Sequence, residues 1–385
     1  MSEKVINFSP NNPTTHFPMN RFHALDVFRG MTISLMIIVN TPGDWSMTFA
    51  PLLHAGWHGF TPTDLVFPSF LFAVGAAFAF VKDRWAGKTF GQVFPRILRR
   101  TLLIFLLGYL LYWFPFMKWN DAGELTGFPF SETRILGVLQ RIALCYFFAA
   151  VLIYYLSRRQ LYFAAAGLLL GYWALLYFFG DYTLEGNFAR TIDLWVFGPA
   201  HLYHGESIAF DPEGLLSTLP AIVNVLAGYL TAHYLIKGGL DYERLAKLLL
   251  AGVLCLVAAY VWDWVFPVNK KLWTSSYVLL TVGLDLLLLS LIIYTTDFLE
   301  KKWSYRFFDI FGKNPLFIYL LSEYLLVALY FIRVGDGQSL FGFIYQNGFA
   351  WIGPYWASLA FAGSYMLLCW GFGWWLDRRG IYIRV

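Results

Sequence analysis

Two histidines share one short stretch, His54-Ala55-Gly56-Trp57-His58-Gly59, and an aspartate follows in Thr61-Pro62-Thr63-Asp64-Leu65-Val66-Phe67-Pro68. A neutral imidazole can take a proton from an amine or a hydroxyl near neutral pH, and it can also be a nucleophile. Structural readings compete with these. His54 and His58 could be interfacial residues like Trp57, and a Thr-Asp pair just before an apolar helix is a plain N-cap. Asp64 could cap the helix, orient an imidazole, or do both. Asn40-Thr41-Pro42-Gly43 ends the preceding apolar run, so the histidines sit in a short connection at a membrane boundary.

Three further constellations carry polar chemistry. Gln140 and Arg141 lie just inside an apolar segment that follows Arg134. Arg141 must point into the protein, because a guanidinium facing lipid is costly. It could form an internal ion pair or meet an anionic or carbonyl group of a ligand. Asp211-Pro212-Glu213-Gly214 fits a type I turn, and it leads to a segment containing Asn224. His201 and His204 stand nearby, but two loop histidines are weak grounds for a metal. The last constellation joins Pro267-Val268-Asn269-Lys270-Lys271-Leu272-Trp273 to Lys313-Asn314-Pro315. Lysines at helix ends often only snorkel to the interface, and that reading fits Lys271 best.

The elements that must position these residues follow from composition. Of 385 residues 58% are hydrophobic, 14% are charged and 20% are aromatic, with a mean hydropathy of +0.56. A soluble domain carries about 25% charged residues, so a soluble globular enzyme, a disordered chain and a coiled coil are all excluded. Ten segments approach the roughly 20 apolar residues that cross a bilayer: 23–41, 64–81, 101–117, 135–156, 161–179, 216–236, 245–266, 275–296, 309–332 and 354–376. The expected fold is therefore all-α, a polytopic membrane helix bundle of about ten transmembrane helices. Residues 1–20 are read as a flexible cytoplasmic tail with no cleavable signal, and residues 21–385 as a single transmembrane domain.

With the N-terminus in the cytoplasm, 20 of the 28 Lys and Arg residues fall on the cytoplasmic side. They include Lys4, Arg21, Arg29, the basic run 82–100, Arg158, Arg159, Lys302 and Arg384. This is a strong positive-inside bias, and it places both termini in the cytoplasm. The opposite side has the loop 118–134, with Asp121, Glu124 and Glu132, and the long loop 180–215. Loops of that length are usually functional. Cys145, Cys255 and Cys369 lie far apart in apolar stretches and read as small buried residues, neither a disulfide framework nor a metal set. No basic block suggests nucleic acid.

Taken in order, these stretches resemble the transmembrane acetyltransferase family that includes lysosomal heparan-α-glucosaminide N-acetyltransferase and bacterial relatives. The matching stretches are 21–30, Val39-Asn40, 54–68, Gly137-Val138-Leu139-Gln140-Arg141, Phe210-Asp211-Pro212-Glu213-Gly214, 267–273 and Lys313-Asn314-Pro315. The resemblance implies transfer of an acetyl group from cytoplasmic acetyl-CoA to the amine of an extracytoplasmic amino sugar. It places the active histidine on His54, not His58, flanked by Asn40 and Asp64. Asp64 would hold the ring's other nitrogen, and Asn40 could donate to the developing oxyanion. Direct transfer and a route through acetyl-His54 both remain open. Gln140 and Arg141 match a ligand-contacting pair. Arg29, Lys313 and Asn314 are the expected contacts for the CoA end, although Arg29 could pair with Asp26 and Lys313 with Asp309. His58, Asp211, Glu213, Asn269 and Lys270 are the expected acceptor-binding residues.

Lysosomal members carry an added luminal domain and one more span before this core. The chain is expected to be without both, so recognition of a large polysaccharide is not carried over. Expected partners are acetyl-CoA, an amino sugar and the lipid bilayer, in a homodimer at a bacterial inner membrane, with no metal. The competing class is a secondary transporter for a small sugar or amino sugar, in which the same polar residues would line a path.

Overall fold

The computed structural model describes residues 23–120, 122–301, 305–335 and 337–383. The expected tail 1–20 lies outside the described residues, as do Lys4, Arg21, Asp121, Lys302 and Arg384. The chain folds as helices α1 (His23–Asn40), α2 (Val66–Val81), α3 (Phe90–Trp113), α4 (Val138–Tyr155), α5 (Arg158–Phe179), α6 (Phe188–Phe197), α7 (Thr218–Gly238), α8 (Tyr242–Asp263), α9 (Ser275–Ile293), α10 (Arg306–Lys313), α11 (Pro315–Phe331), α12 (Leu340–Gly348) and α13 (Pro354–Arg378). Strand pairing among the described residues is confined to two small hairpins, 117–127 and 333–339.

All ten apolar segments are helical. Among the described residues, seven helices are long and apolar enough to cross a membrane alone, and the bent pair α10–α11 raises this to eight. The other two are α1, with Asp26 and Arg29 in its first turns, and α3, which begins with the arginines of the basic run. The ninth segment needs correcting. Residues 309–332 are not one helix, because α10 and α11 meet at 84°. Asn314 leaves helical geometry (φ −130°, ψ 49°), and Pro315 opens α11 at a position where its missing N–H costs nothing.

Local signals set the helix starts. Thr89 and Gln92 form a capping box on α3, with the Thr89 N–H donating to Gln92 Oε1 at 3.0 Å. Ser157 and Gln160 do the same for α5, and Asp241 accepts from the Arg244 N–H at 2.7 Å to cap α8. The outermost helices, α5 and α8, leave Phe163, Leu170, Leu250 and Leu254 exposed. A bilayer is the natural neighbour of such faces.

The centre is tight. α2 packs along α7, α8 along α9, α3 along α4, and α1 along α10. At the first of these contacts only glycine fits. A Cβ on Gly75 would lie 1.8 Å from the Val225 carbonyl oxygen, and one on Gly228 would lie 1.9 Å from that of Phe72. Small residues let membrane helices approach backbone to backbone. This contact fixes the middle of α2, the helix that follows the turn carrying Asp64, against α7.

Candidate active site

The 54–64 stretch folds back on itself. Pro62–Leu65 form one 3-10 turn leading into α2, and Thr61, not Asp64, stands at its N-cap. Asp64 is the third residue of the turn and serves both ends. Its Oδ2 accepts from the Thr61 N–H at 2.9 Å, the Thr61 hydroxyl at 3.1 Å and the Ala55 N–H at 3.2 Å. Its Oδ1 lies 2.7 Å from His54 Nδ1. The carboxylate is fully buried, and the Tyr277 hydroxyl donates to the Asp64 carbonyl at 2.6 Å. A carboxylate this well held can only accept. His54 therefore carries its proton on Nδ1, and Nε2 keeps the lone pair.

Lys270 lies against the same ring, near both nitrogens. Its ammonium is 3.1 Å from Nε2, 2.9 Å from Nδ1 and 3.8 Å from Asp64 Oδ1. The loop that carries it is strained. Trp273 is buried with φ +54°, a left-handed conformation that costs a bulky residue about 1–3 kcal/mol. Its indole donates to Asn224 Oδ1 at 3.1 Å, and the Arg141 guanidinium lies 4.8 Å from its ring. Asn269 is fully buried and shapes the same turn, accepting from the Leu272 N–H at 2.8 Å. Lys271 does not snorkel. It pairs with Glu206 at 2.6 Å and donates to the Gly56 carbonyl at 2.7 Å.

Burial lowers the pKa of His54, the hydrogen bond it donates to Asp64 opposes this, and the Lys270 charge lowers it further, so the net shift is downward. Burial also lowers Lys270, against the pull of Asp64 and Glu213. A base that stays neutral below the usual imidazole range keeps working in mild acid. Replacing Lys270 by Met removes a downward influence, so the His54 pKa should rise. The acid limb of any His54-dependent rate should then move to higher pH, and a pH–rate profile of the K270M variant checks this. An unmoved limb would mean that Lys270 does not tune the ring.

The pair opens on a cavity of about 380 Å³ lined by Asn40, Tyr112, Arg134, Glu213, Tyr319 and Glu323 as well as His54, Asp64 and Lys270. An adjoining pocket continues inward past Met36, Val66, Phe67 and Val138. In line with it lies a separate, mostly apolar cavity lined by Phe70, Ala73, Ile142 and Leu316, with Arg29 and Arg100 on its wall. Phe67 and Phe70, Val138 and Ile142, and Leu316 and Tyr319 are each one helical turn apart, about 5.4 Å. One layer of packed side chains therefore separates a chamber lined by the His54 imidazole from a chamber holding two guanidiniums. Arg100 stacks on Tyr146 at 4.8 Å, and its buried Nε has no hydrogen-bond partner among the described residues.

Several expected ligand residues are placed elsewhere. Gln140 is buried against Gly108 of α3 and lines neither chamber. Arg141 is fully buried and donates to the Gly214 carbonyl at 2.9 Å and to the Ser217 hydroxyl. It ties α4 to the start of α7 and backs Trp273. Lys313 lies 2.9 Å from both Asp309 and Asp377, so it is neutralised twice. Both amide groups of Asn314 are engaged by backbone, the Ile381 carbonyl at 3.0 Å and the Ile383 N–H at 2.8 Å. His58 contacts Asn269 at 3.3 Å and lines none of these chambers. Asp211 is buried and clamps Arg134 through two bonds of 2.9 and 2.6 Å. Glu213 also binds Arg134, at 2.6 Å, and it does reach the outer chamber. Arg29 pairs with Asp26 at 3.1 Å and still faces the inner chamber.

Glu323 was missed. It projects from α11 into the outer chamber, where it accepts from the Asn40 amide at 3.2 Å. The signal was present, since an ionisable residue inside an apolar run marks function by default. Asp285 on α9, bonded to the Ser69 hydroxyl at 2.5 Å, escaped for the same reason. Among the described residues no cluster of His, Cys, Asp and Glu could hold a metal ion.

A family model described as heparan-alpha-glucosaminide N-acetyltransferase, catalytic, matches residues 21–261. Heparan-alpha-glucosaminide N-acetyltransferase of Mus musculus is 27% identical over 365 residues, covering 80% of this chain and 54% of that protein. The protein of the same name from Homo sapiens is 28% identical over 362 residues, covering 79% and 53%. The chain thus spans about half the length of the curated relatives it matches. The matched region runs from α1 through most of α8 and includes Asn40, His54, Asp64 and Glu213, so the chain belongs to the heparan-alpha-glucosaminide N-acetyltransferase catalytic family.

Proposed function

We propose that the chain is a multi-pass membrane acetyltransferase that moves an acetyl group from cytoplasmic acetyl-CoA to the amine of an extracytoplasmic amino sugar. One observation carries this reading above all: a carboxylate-oriented imidazole, with its Nε2 toward a polar chamber, lies one helical turn from a second chamber that is apolar and bears two arginines. The end with Arg29 and Arg100 is the basic end of the bundle, which the positive-inside bias makes cytoplasmic. CoA phosphates suit guanidiniums there. The narrow pantetheine arm suits the apolar seam, which must open by one layer of side chains for the thioester to reach His54.

In direct transfer the amine nitrogen forms a bond to the thioester carbonyl carbon and the carbon–sulfur bond breaks. His54 Nε2 takes a proton from that nitrogen and returns it to the departing thiolate. Lys270 must first swing off Nε2, and Glu213 and Asp64 are within its electrostatic reach. The second N–H of the Asn40 amide remains to meet the carbonyl oxygen. In the stepwise route Nε2 itself takes the acetyl group before the amine does.

Purified protein incubated with labelled acetyl-CoA and a panel of amino sugars tests the reading. Release of CoA thiol that depends on an acceptor supports it. Sugar uptake into vesicles without thiol release would replace it with a transporter. On the inner side, Arg100→Gln should weaken acetyl-CoA binding about ten-fold, because a charge-assisted contact to phosphate is lost. Acceptor KM should not move. Lys313→Gln should leave acetyl-CoA affinity unchanged, since its two carboxylate partners already hold it.

A further inference from the structure

Four carboxylates line the outer chamber: Asp64, Glu206, Glu213 and Glu323. Asp64 faces His54 at 2.7 Å and Lys270 at 3.8 Å, Glu206 pairs with Lys271 at 2.6 Å, and Glu213 pairs with Arg134 at 2.6 Å. Glu323 differs from the other three. Its one partner among the described residues is the neutral amide of Asn40, which donates to Oε1 at 3.2 Å and leaves Oε2 without a protein donor. The wall therefore presents one carboxylate with no cation of its own, oriented by a neighbour, in the same chamber as His54.

We propose that Glu323 binds the ammonium group of the acceptor and takes its first proton. This rests on the acetyltransferase reading and deepens it. An amino sugar arrives as R–NH3+, with three N–H bonds, and leaves as an amide with one. Two protons must go. One ends on the CoA sulfur by way of His54 Nε2, which can carry only one at a time. The other needs a separate base. Glu323 Oε2 accepts it, the amine becomes a neutral nucleophile, and the proton leaves through the chamber to water. The pairing also selects the substrate: an ammonium supplies the missing cation, whereas a neutral hydroxyl or acetamide leaves the carboxylate unpaired. Asn40 then has two tasks on one side chain, orienting Glu323 with one N–H and facing the reacting carbonyl with the other.

The test compares wild type, Glu323→Gln and Glu323→Asp in detergent-purified protein, with retained acetyl-CoA affinity as the folding control. Wild type should bind glucosamine at least about ten-fold more tightly than N-acetylglucosamine. E323Q should bind the two alike, and E323D should recover part of the preference. In turnover, E323Q should lose about a hundred-fold with glucosamine but little with methoxyamine, which is unprotonated at neutral pH and needs only one base. A residue that merely held the helix in place would affect both acceptors equally. An E323Q variant that still prefers glucosamine, or that loses both acceptors to the same extent, overturns the proposal. A wild type that shows the Glu323-dependent preference yet releases no CoA thiol would sink the acetyltransferase reading while the ammonium site stands.

Discussion

His54→Ala should lose at least two orders of magnitude in acetyl transfer and still bind acetyl-CoA. General-base catalysis by one positioned side chain contributes typically about 10²–10⁴ in rate. Here the imidazole is positioned through its Nδ1 side. Asp64 Oδ1 fixes Nδ1–H at 2.7 Å, and three donors fix Asp64 Oδ2 in turn. Asp64→Asn keeps the shape but offers Nδ1 a side chain that can also donate, so the tautomer with Nε2 free is no longer enforced. That variant should fall between His54→Ala and wild type. His58→Ala should change turnover by less than about three-fold, because its ring contacts Asn269 outside the chamber. Initial rates with labelled acetyl-CoA, together with acetyl-CoA affinity for each variant, read all three. Near-normal turnover in His54→Ala would remove the imidazole from the chemistry. A dead His58→Ala beside a live His54→Ala would move the catalytic role to His58, beside Asn269. Rapid quench that traps an acetylated His54 would select the stepwise route, and its absence would select direct transfer.

Much of this site was legible because it is local. His54, Asp64 and the cap that holds Asp64 fall within one stretch of eleven residues. Turn geometry at Thr61-Pro62 alone brings the carboxylate back under the ring. Apolar run lengths were equally direct, and all ten segments are helical. What sequence reading missed depends on contacts between distant elements. Arg141 and Trp273 were assigned to separate constellations, yet the guanidinium stacks on the indole and together they brace the lysine loop. Lys313 and Asn314 read as a cationic motif near a membrane face. Only the fold shows that Asp377 and the chain near Ile381 have taken up their bonding capacity. The break at Asn314 was hidden for a different reason. Gly312-Lys313-Asn314-Pro315 is a helix-breaking run, but the hydropathy averaged over 309–332 stays high across it, and hydropathy cannot see a bend. Lys270 and Glu323 both lie beyond the 21–261 region matched by the family model, so it is the loop between α8 and α9, and α11, that bring them to the chamber lined by His54.

The second large effect is expected at Arg134, which no catalytic step uses. It joins the loop before α4 to the loop before α7, with a two-point bond to Asp211 and a further bond to Glu213. Its guanidinium lies between the rings of Tyr112 and Tyr203, at 5.0 and 4.8 Å. Arg134→Met keeps the apolar stem but takes the guanidinium from the buried Asp211 and from Glu213, two residues further on. Removing one partner from a buried ion pair costs about 3–5 kcal/mol. Arg134→Lys should recover only part of this, because an ammonium cannot reproduce the planar fork. The loss should depend on pH in a defined sense. Burial alone would raise Glu213, but the charges of Arg134, Arg141 and Lys270 and the Arg134 hydrogen bond together hold the carboxyl below its ordinary range. A depressed carboxyl stabilises the fold above its unfolded pKa and loses that contribution as pH falls through the folded value. Burial already raises Asp211 despite Arg134, and in Arg134→Met both carboxyls lose that charge and resist ionising more, so their cost grows as pH rises. The deficit against wild type should therefore be largest near neutral pH and shrink in acid, as thermal unfolding in detergent at several pH values would show. A deficit that did not change with pH would mean that Arg134 holds the two loops through its ring contacts, with the carboxylates incidental. Because Glu213 also lines the chamber beside Lys270, Arg134→Lys should reduce acceptor affinity before it unfolds the protein, which links the strength of this clamp to the shape of the site.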